Sequence, residues 1–281
     1  MLLKKRQREW KMNKSSLADR MKKYEGSTNY NIISRVPIIA RLDGKKFSSL
    51  TKKLNIEKPF SSLFSAMMTQ SAIAVASEMQ GCMLGYTQSD EITFVIRTDQ
   101  SDETTPWFDN RIQKMVSVSA SIATAAFNRI LWESFKFNLV NEKIPKAHFD
   151  CRVFPVPSMT EVVNNLIWRQ RDCIKNSISS AAYFEIGRKC GRGTTRKMVH
   201  KLNQNERQEL LFQETGMDWN SYPGEFKNGI VIFRASKTIT TTNGTAIRKK
   251  WDSSPAPIFT SDDGRNWLNL VLNIQEDESN D

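Results

Sequence analysis

Short apolar runs and helically spaced apolar positions alternate along residues 37–158. The run Pro37–Leu42 ends at Asp43-Gly44, which predicts a buried strand followed by a turn. Apolar residues recur every three or four positions between Ser61 and Gln80 and again between Trp107 and Phe135, which predicts two helices. The remaining predicted strands of this segment, the first two joined by a turn at Gln88–Asp90, are Cys82–Tyr86, Ile92–Ile96 and His148–Phe154.

The resulting order, β-α-β-β-α-β, is that of the ferredoxin-like arrangement and places the chain in the α+β class. Helical spacing at Glu161–Glu185 and Asn205–Thr215, with a late apolar run at Gly229–Phe233, predicts additional helices and a C-terminal α/β extension. We therefore expect a first domain over residues 19–158 and a second region over residues 159–261.

The charge distribution favours a polyanionic partner. Lys plus Arg is 41 and Asp plus Glu is 30, so the net charge is +11. Nine basic and three acidic residues give residues 1–25 a net charge of +6, and one Arg and six acids give residues 262–281 a net charge of −5. These ends predict a flexible basic arm over residues 1–18 and an acidic tail over residues 262–281.

The densest internal basic cluster is interrupted by Gly187, Gly191 and Gly193. A glycine-containing loop rich in Lys and Arg suits phosphate groups, and an ordinary solvated loop is the alternative. Its members are Arg188, Lys189, Arg192, Arg196, Lys197, Lys201 and Arg207.

Several classes of function are disfavoured by composition. No apolar run approaches the ~20 residues that a membrane span requires, so we expect no membrane partner. Four widely spaced cysteines without a CxxC pair predict reduced thiols and a cytoplasmic protein, with a mitochondrial location left open. Because the chain has only two histidines, a zinc site or a Ser-His-Asp triad is not expected.

Acidic residues occur at the end of the first predicted strand and at the tip of the predicted hairpin. The end of the first strand and the tip of the hairpin are neighbours in this arrangement, so Asp43, Asp90 and Glu91 should converge. Carboxylates without histidine suit Mg²⁺, and two such ions can promote nucleotidyl transfer. The alternative is an ordinary Asp-Gly turn and a polar hairpin tip, since the strings LDG and SDE are each common in proteins.

Four segments resemble the tRNA-His guanylyltransferase family: IARLDGKKF at Ile39–Phe47, GYTQSDEITF at Gly85–Phe94, FDCRVFPVPS at Phe149–Ser158 and WRQRDC at Trp168–Cys173. The resemblance extends from about residue 19 to about residue 233. It implies a polymerase-type palm that adds nucleotides to RNA 5′ ends in the 3′-to-5′ direction, with two Mg²⁺ ions and with ATP and GTP as substrates. It also implies tRNA as a partner and a homotetramer.

The resemblance assigns roles to individual positions. Asp43, Asp90 and the carbonyl of Gly44 match metal ligands, and Glu91 matches an adjacent catalytic acid. The implied nucleotide-binding residues are Lys45, Lys46, Phe47, Lys58, Ser89, Arg111 and Lys114. The predicted tRNA-binding residues are Arg152, Arg169 and Asn176, together with Arg188, Lys189, Arg192, Arg196, Lys197 and Arg207 of the basic cluster.

One departure bears on the subfamily. Enzymes specific for tRNA-His carry a His-Ile-Asn-Asn string after the Asp-Cys pair, whereas Asp172-Cys173 is followed here by Ile-Lys-Asn-Ser, which retains only Asn176. This is similar to the guanylyltransferase-like proteins, for which templated repair of 5′-truncated tRNAs is expected. Addition of G to tRNA-His, a nucleotide cyclase and a non-catalytic tRNA-binding protein are the alternatives.

Overall fold

The computed structural model describes residues 16–100, 103–135, 145–241 and 244–274. Most of the predicted basic arm and the last seven residues lie outside the described residues. The helices are α1 Leu17–Gly26, α2 Phe47–Lys53, α3 Ser62–Glu78, α4 Ile112–Phe135, α5 Met159–Cys190, α6 Arg192–Met198, α7 Gln204–Thr215, α8 Gly224–Asn228 and α9 Asp262–Leu272. The strands are β1 Ile38–Gly44, β2 Cys82–Gln88, β3 Glu91–Ile96, β4 Phe149–Pro155, β5 Ile230–Thr241 and β6 Gly244–Pro255.

A six-stranded sheet with the order β4-β1-β3-β2-β5-β6 organises the chain, and every neighbouring pair is antiparallel. Its first four strands and the helices between them follow the predicted β-α-β-β-α-β order, so the α+β class is confirmed. Strands β2 and β3 form a hairpin in which Gln88 pairs with Glu91, which leaves Ser89 and Asp90 as the turn. Ser89 has φ 50°, the left-handed conformation that a two-residue hairpin turn demands of a central residue.

Each face of the sheet is covered by a different set of helices. Because side chains alternate along a strand, Ile38, Ala40 and Leu42 of β1 face a core shared with α3 and α4. Ile39 faces the opposite way, into a second core that contains Leu166 of α5 and helix α9. The C-terminal half of α5 continues past the sheet and packs with α7 in a third apolar cluster.

Helix α4 begins later than the apolar spacing predicts. Residues 107–110 form a 3₁₀ turn, and Phe108, Asp109 and Asn110 all have positive φ values between 51° and 55°, which cannot continue an α-helix. The prediction of one helix from Trp107 to Phe135 is therefore wrong at its start. A hydrogen bond from the side-chain amide of Asn31 to the carbonyl of Asp109, at 2.8 Å, helps to hold the turn.

The prediction of an acidic tail over residues 262–281 is wrong for its first half. Ser261 caps α9 through its side chain, which accepts a hydrogen bond from the amide of Gly264 at 3.1 Å. Leu268 and Leu272 are fully buried against the second core. The acids in the first turn of α9 gave the segment a net negative charge that is typical of a tail. In the structure these acids lie at the positive end of the helix dipole, where they stabilise an amphipathic helix.

The second strand of the long C-terminal hairpin was not predicted. Strand β6 pairs with β5 from Ile230↔Pro255 to Thr241↔Gly244, although the sequence there is rich in Thr, Lys and Arg. Residues 247–250 are exposed, so the apolar alternation that identifies a half-buried strand is missing. No helix within the described ranges is long and apolar enough to cross a membrane.

Candidate active site

The end of β1 and the tip of the β2–β3 hairpin meet as predicted. The backbone amide of Gly44 donates a hydrogen bond to the carbonyl of Asp90 at 3.0 Å. Asp43 is the register partner of Glu91 on β3 and of Asp150 on β4. The structure therefore brings the three predicted acids, Asp43, Asp90 and Glu91, to one end of the sheet.

Burial and electrostatic repulsion make this end of the sheet unfavourable for the charged form of Asp43. Burial raises the pKa of Asp43, and the nearby carboxylates of Asp90, Asp150 and Glu91 raise it further, while Arg152 lowers it. Sequence reasoning missed Asp150. Asp150 stands in the FDCRV segment, two residues before Arg152 on the predicted strand. This spacing could have indicated that both charged side chains lie on the face of the sheet that carries Asp43.

A cleft of about 340 Å³ opens beside these acids, on the side of α2 and α3. Of the predicted metal- and nucleotide-binding residues, it is lined by Gly44, Lys46, Phe47, Lys58, Ser89 and Asp90, together with Ser48, Thr51 and Phe64. Lys58 is half-buried, and burial lowers its pKa, while the carboxylate of Asp90 acts in the opposite direction. A cleft with a desolvated lysine beside an acid is suited to a phosphate chain that arrives with a cation.

Close packing fixes the backbone on the floor of this cleft. A Cβ atom on Gly44 would collide with the ring of Phe47, which is itself buried against Phe127 and Phe149 with ring centroids 5.1 and 5.0 Å away. Lys46, which lies between Gly44 and Phe47, has φ 56° and is the N-cap residue of α2. The LDGKKF segment is therefore a tight turn that presents backbone at the cleft, while the side chain of Lys45 is exposed outside it.

Glu91 is held by a predicted tRNA-binding residue. Arg169 on α5 donates from Nε to one oxygen of Glu91 at 2.6 Å and from Nη2 to the other at 2.7 Å. The same guanidinium reaches Asp172 at 3.0 Å, and Arg169 is only 7% exposed. The prediction that Arg169 contacts tRNA does not fit this burial, since the guanidinium is occupied inside the protein and positions Glu91.

Three members of the basic cluster make hydrogen bonds within the chain, although Arg188 and Lys189 are themselves exposed. Arg188 pairs with Glu185 and donates to the carbonyl of Lys58, and Lys189 donates to the carbonyl of Glu214 at 2.6 Å. Arg207 donates to the hydroxyl of Ser179 at 2.5 Å. The remaining members are exposed, and they are Arg192, Arg196 and Lys197 on α6 and Lys201 shortly after it.

Arg188 also links this cluster to the cleft beside the acids, because it donates to the carbonyl of Lys58, which lines that cleft. A second cavity, of about 170 Å³, lies on the other side of Lys58, between the hairpin tip and α5. Asn176 lines it and donates to Asp172 at 3.3 Å. The predicted tRNA-binding residues Asn176 and Arg188 are thus close to the cleft, and both also make internal hydrogen bonds.

Arg111 and Lys114 are not brought to the cleft. Thr124 and Asn128 of α4 bond the backbone at Phe149 and Ala147, beside the acidic end of the sheet. Arg111 precedes Thr124 by 13 residues, about 20 Å along a helix axis. The prediction that this pair grips a triphosphate therefore does not fit the geometry of a single chain.

Within the residues that the structure describes, no group of three or more His, Cys, Asp or Glu side chains is arranged to hold a metal ion. The four cysteines, all within the described ranges, are free.

Comparison with known proteins gives a consistent result. A family model described as tRNAHis guanylyltransferase matches residues 18–157, and one described as Thg1 C terminal domain matches residues 160–261. A probable tRNA(His) guanylyltransferase of Drosophila melanogaster is 31% identical over 210 residues, which is 73% of this chain and 69% of the fly protein.

Solved structures agree with the sequence matches. A bacterial tRNA(His) guanylyltransferase (Thg1)-like protein in complex with ATP has a TM-score of 0.77 and 32% identity, over 92% of this chain and all of the bacterial one. A similar bacterial protein in complex with GTP has a TM-score of 0.72 and 31% identity, over the same shares. These matches define a class of nucleotidyltransferases whose substrate is tRNA. The chain belongs to the tRNA-His guanylyltransferase family.

Proposed function

We propose that this protein adds nucleotides in the 3′-to-5′ direction to tRNA 5′ ends, as a templated repair enzyme of the guanylyltransferase-like kind. The observation that carries the proposal is the convergence of Asp43, Gly44 and Asp90 beside a cleft that contains Lys46 and Lys58. Solved relatives with ATP and GTP bound support nucleoside triphosphates as the occupants of that cleft.

The residues at this end of the sheet fit Mg²⁺. They are oxygen donors. Burial and the repulsion from neighbouring carboxylates raise the pKa of Asp43, and a bound cation would offset both effects. Two carboxylates with one backbone carbonyl are enough for Mg²⁺, which takes its other ligands from water and substrate phosphates. We propose that Asp43, Asp90 and the carbonyl of Gly44 hold two such ions, which would supply charge neutralisation and lower the pKa of the attacking hydroxyl.

The chain's own residues then orient the reactants. Lys58 and Lys46 bind the phosphates of the nucleoside triphosphate in both steps. In the first, the RNA 5′ phosphate attacks the α-phosphorus of ATP or GTP and releases pyrophosphate, and in the second, the triphosphate bound is that of the incoming nucleotide. The 3′-hydroxyl of that nucleotide attacks the activated 5′ phosphorus, forms the new phosphodiester and releases the activating nucleotide, or pyrophosphate from a triphosphorylated end. Arg169 holds Glu91 and so fixes the hairpin that carries Asp90.

The basic surface of α6 is the proposed tRNA contact, because Arg192, Arg196 and Lys197 are exposed on one short helix. Retention of Asn176 alone from the string typical of tRNA-His-specific enzymes favours repair of many tRNAs over obligatory G addition to one. The family resemblance also predicts a cytoplasmic homotetramer, for which light scattering of the purified protein is the test of assembly.

Substitution of the acids tests the proposal. Asp43→Ala and Asp90→Ala should reduce Mg²⁺-dependent lengthening of a 5′-truncated tRNA by more than about 100-fold and leave tRNA affinity within about twofold. Asp262→Ala, on helix α9, which does not line the cleft, serves as the control and should add nucleotides at the wild-type rate. Substantial lengthening by either active-site variant would contradict the assignment of these residues.

A further inference from the structure

An open polar strip lies on the second face of the sheet, next to Asp43. Strand β4 is an edge of the sheet, and helix α5 covers the apolar part of this face. The strip is defined by Arg41 and Asp43 of β1 and by Asp150 and Arg152 of β4, which share the face by register. Side chains of Asp150 and Arg152 are 62% and 54% exposed, and their 3.9 Å ion pair contributes little in water. Arg152 is therefore available to a ligand.

Trp168 borders the strip from α5. Trp168 is 54% exposed, although the preceding residue of the same helix, Ile167, is buried. The Cζ atom of Arg41 lies 5.8 Å from the centre of the Trp168 ring, and that of Arg169 lies 4.6 Å away. Since Arg169 is fixed by Glu91, the indole is held beside the strip on a rigid support.

We propose that Trp168 is a stacking surface for the terminal base at the RNA 5′ end, and that Arg152 contacts the phosphate beside that base. The inference rests on the proposed function and specifies where the second substrate binds. Exposed aromatic rings flanked by arginine are the usual means of holding an unpaired or terminal base without reading its sequence. Sequence tolerance is what a repair enzyme needs, because its substrates differ in the first base.

The spacing along β1 fits this placement. Arg41, beside the indole, and Asp43 are two residues apart, about 7 Å along the strand. A base stacked on Trp168 therefore leaves its 5′ phosphate within the reach of one nucleotide from Asp43. The nucleotide cleft opens on the α2 and α3 side of Asp43 and Asp90, so the two substrates would approach these carboxylates from opposite faces of the sheet.

A binding measurement tests the stacking. The probe is a 5′-truncated tRNA with 2-aminopurine as its first nucleotide, whose fluorescence falls when the base is stacked, titrated with the purified protein in the absence of nucleoside triphosphate. Wild-type protein should quench the probe, and Trp168→Ala should lose most of the quench and bind about 5- to 100-fold more weakly. Trp168→Phe should retain most of both. Trp132→Ala should behave as wild type, because Trp132 is equally exposed, at 57%, but lies on α4 over the opposite face.

Arg152 is tested with the same RNA carrying either a 5′ phosphate or a 5′ hydroxyl. Arg152→Gln should lose the preference for the phosphorylated end, whereas Arg129→Gln on α4 should keep it. Melting temperatures within about 2 °C of wild type exclude misfolding of the variants. The inference is overturned if Trp168→Ala quenches the terminal 2-aminopurine as strongly as the wild type does. It is also overturned if Trp168→Ala reduces the quench of an internal 2-aminopurine as much as it reduces that of the terminal one.

The two proposals fail separately. If the wild type lengthens tRNA and Trp168→Ala quenches normally, the stacking site is wrong and the proposed function stands. If the wild type never lengthens tRNA, the proposed function fails, and the quench still decides whether an RNA 5′ end binds at Trp168.

Discussion

Arg169 and Glu91 form a two-pronged ion pair, with hydrogen bonds of 2.6 and 2.7 Å, between the longest helix and the first residue of β3. Their side chains are 9% and 12% exposed. The pair ties α5, which leads to the basic surface, to the hairpin that carries Asp90. It thereby joins the predicted RNA-binding region to the predicted reaction centre.

Removing one partner of this pair should be costly. Arg169→Gln leaves the carboxylate of Glu91 buried without its partner, so we expect a loss of about 3 kcal/mol in the free energy of unfolding, measured by urea denaturation. Arg169→Lys should recover only part of this, because an ammonium group cannot make the two parallel bonds. The double variant Arg169→Gln/Glu91→Gln should be more stable than Arg169→Gln alone. Equal stability of the two would show that the charges do not interact.

The pH dependence of stability should reveal the strain at Asp43. The pKa of Asp43 is raised in the folded protein, so its ionisation opposes folding, and stability falls as pH rises from the ordinary value of 3.8 through the folded pKa. Asp43→Asn should therefore be more stable than wild type at pH 7 without added Mg²⁺, and this advantage should disappear below about pH 3.5. Thermal melts across pH in EDTA provide the measurement.

Asp99→Asn is the matched comparison with the opposite sign. Hydrogen bonds from Arg97 lower the pKa of Asp99, so its charge stabilises the folded state above the ordinary value of 3.8, and this contribution is lost as pH falls through the folded pKa. Asp99→Asn should be less stable than wild type at pH 7 and equal to it in strong acid. The same sign of effect for both variants at pH 7 would contradict this account of the two sites.

Helix α9 provides a test of the corrected C-terminal boundary. Leu268→Ala removes a fully buried side chain and should cost about 2–4 kcal/mol of stability, whereas Leu270→Ala, at a position 76% exposed on the same helix, should cost less than about 0.5 kcal/mol. Urea denaturation of the two variants measures the difference. If both are neutral, residues 262–272 form a loose tail as the charge pattern suggested.

The exposed face of α6 should govern the salt dependence of RNA binding. Arg196→Gln with Lys197→Gln should weaken tRNA binding at low salt and reduce the slope of log K against log[salt] by about 1 for each RNA phosphate that the variant no longer neutralises. Arg129→Gln on α4 is the control with a single charge removed elsewhere. An unchanged slope for the α6 variant would assign these residues to an ordinary solvated surface.

The sequence predicted the part of the fold that periodicity encodes. Strands β1 to β4 and helices α3 and α5 follow from apolar spacing, and the meeting of Asp43 with Asp90 follows from strand order. Strand β6 could not be predicted because its side chains face solvent, and α9 was concealed by its acidic first turn. The positions of Arg169 and Arg111 were also inaccessible, because burial and location along a helix relative to a distant strand are tertiary properties.

Asp150 and Trp168 were both within segments that carried the family resemblance, yet neither was assigned a role. Each owes its significance to a neighbour in space, Asp43 for the first and Arg41 for the second. A one-dimensional motif indicates which residues belong to a site, whereas the register of β1 with β4 and the path of α5 determine how they are combined.

Templated nucleotide addition at the 5′ end is the activity on which the proposed function depends. The most direct measurement gives the purified protein an internally labelled tRNA that lacks its first nucleotide, with Mg²⁺, ATP for activation and each of the four nucleoside triphosphates in turn, for four RNAs that differ only in the opposing base. We expect the wild type to extend each RNA by the one nucleotide that is complementary to the opposing base, and we expect no extension by Asp43→Asn. Addition of G alone irrespective of the opposing base, or no extension by the wild type, would contradict this expectation.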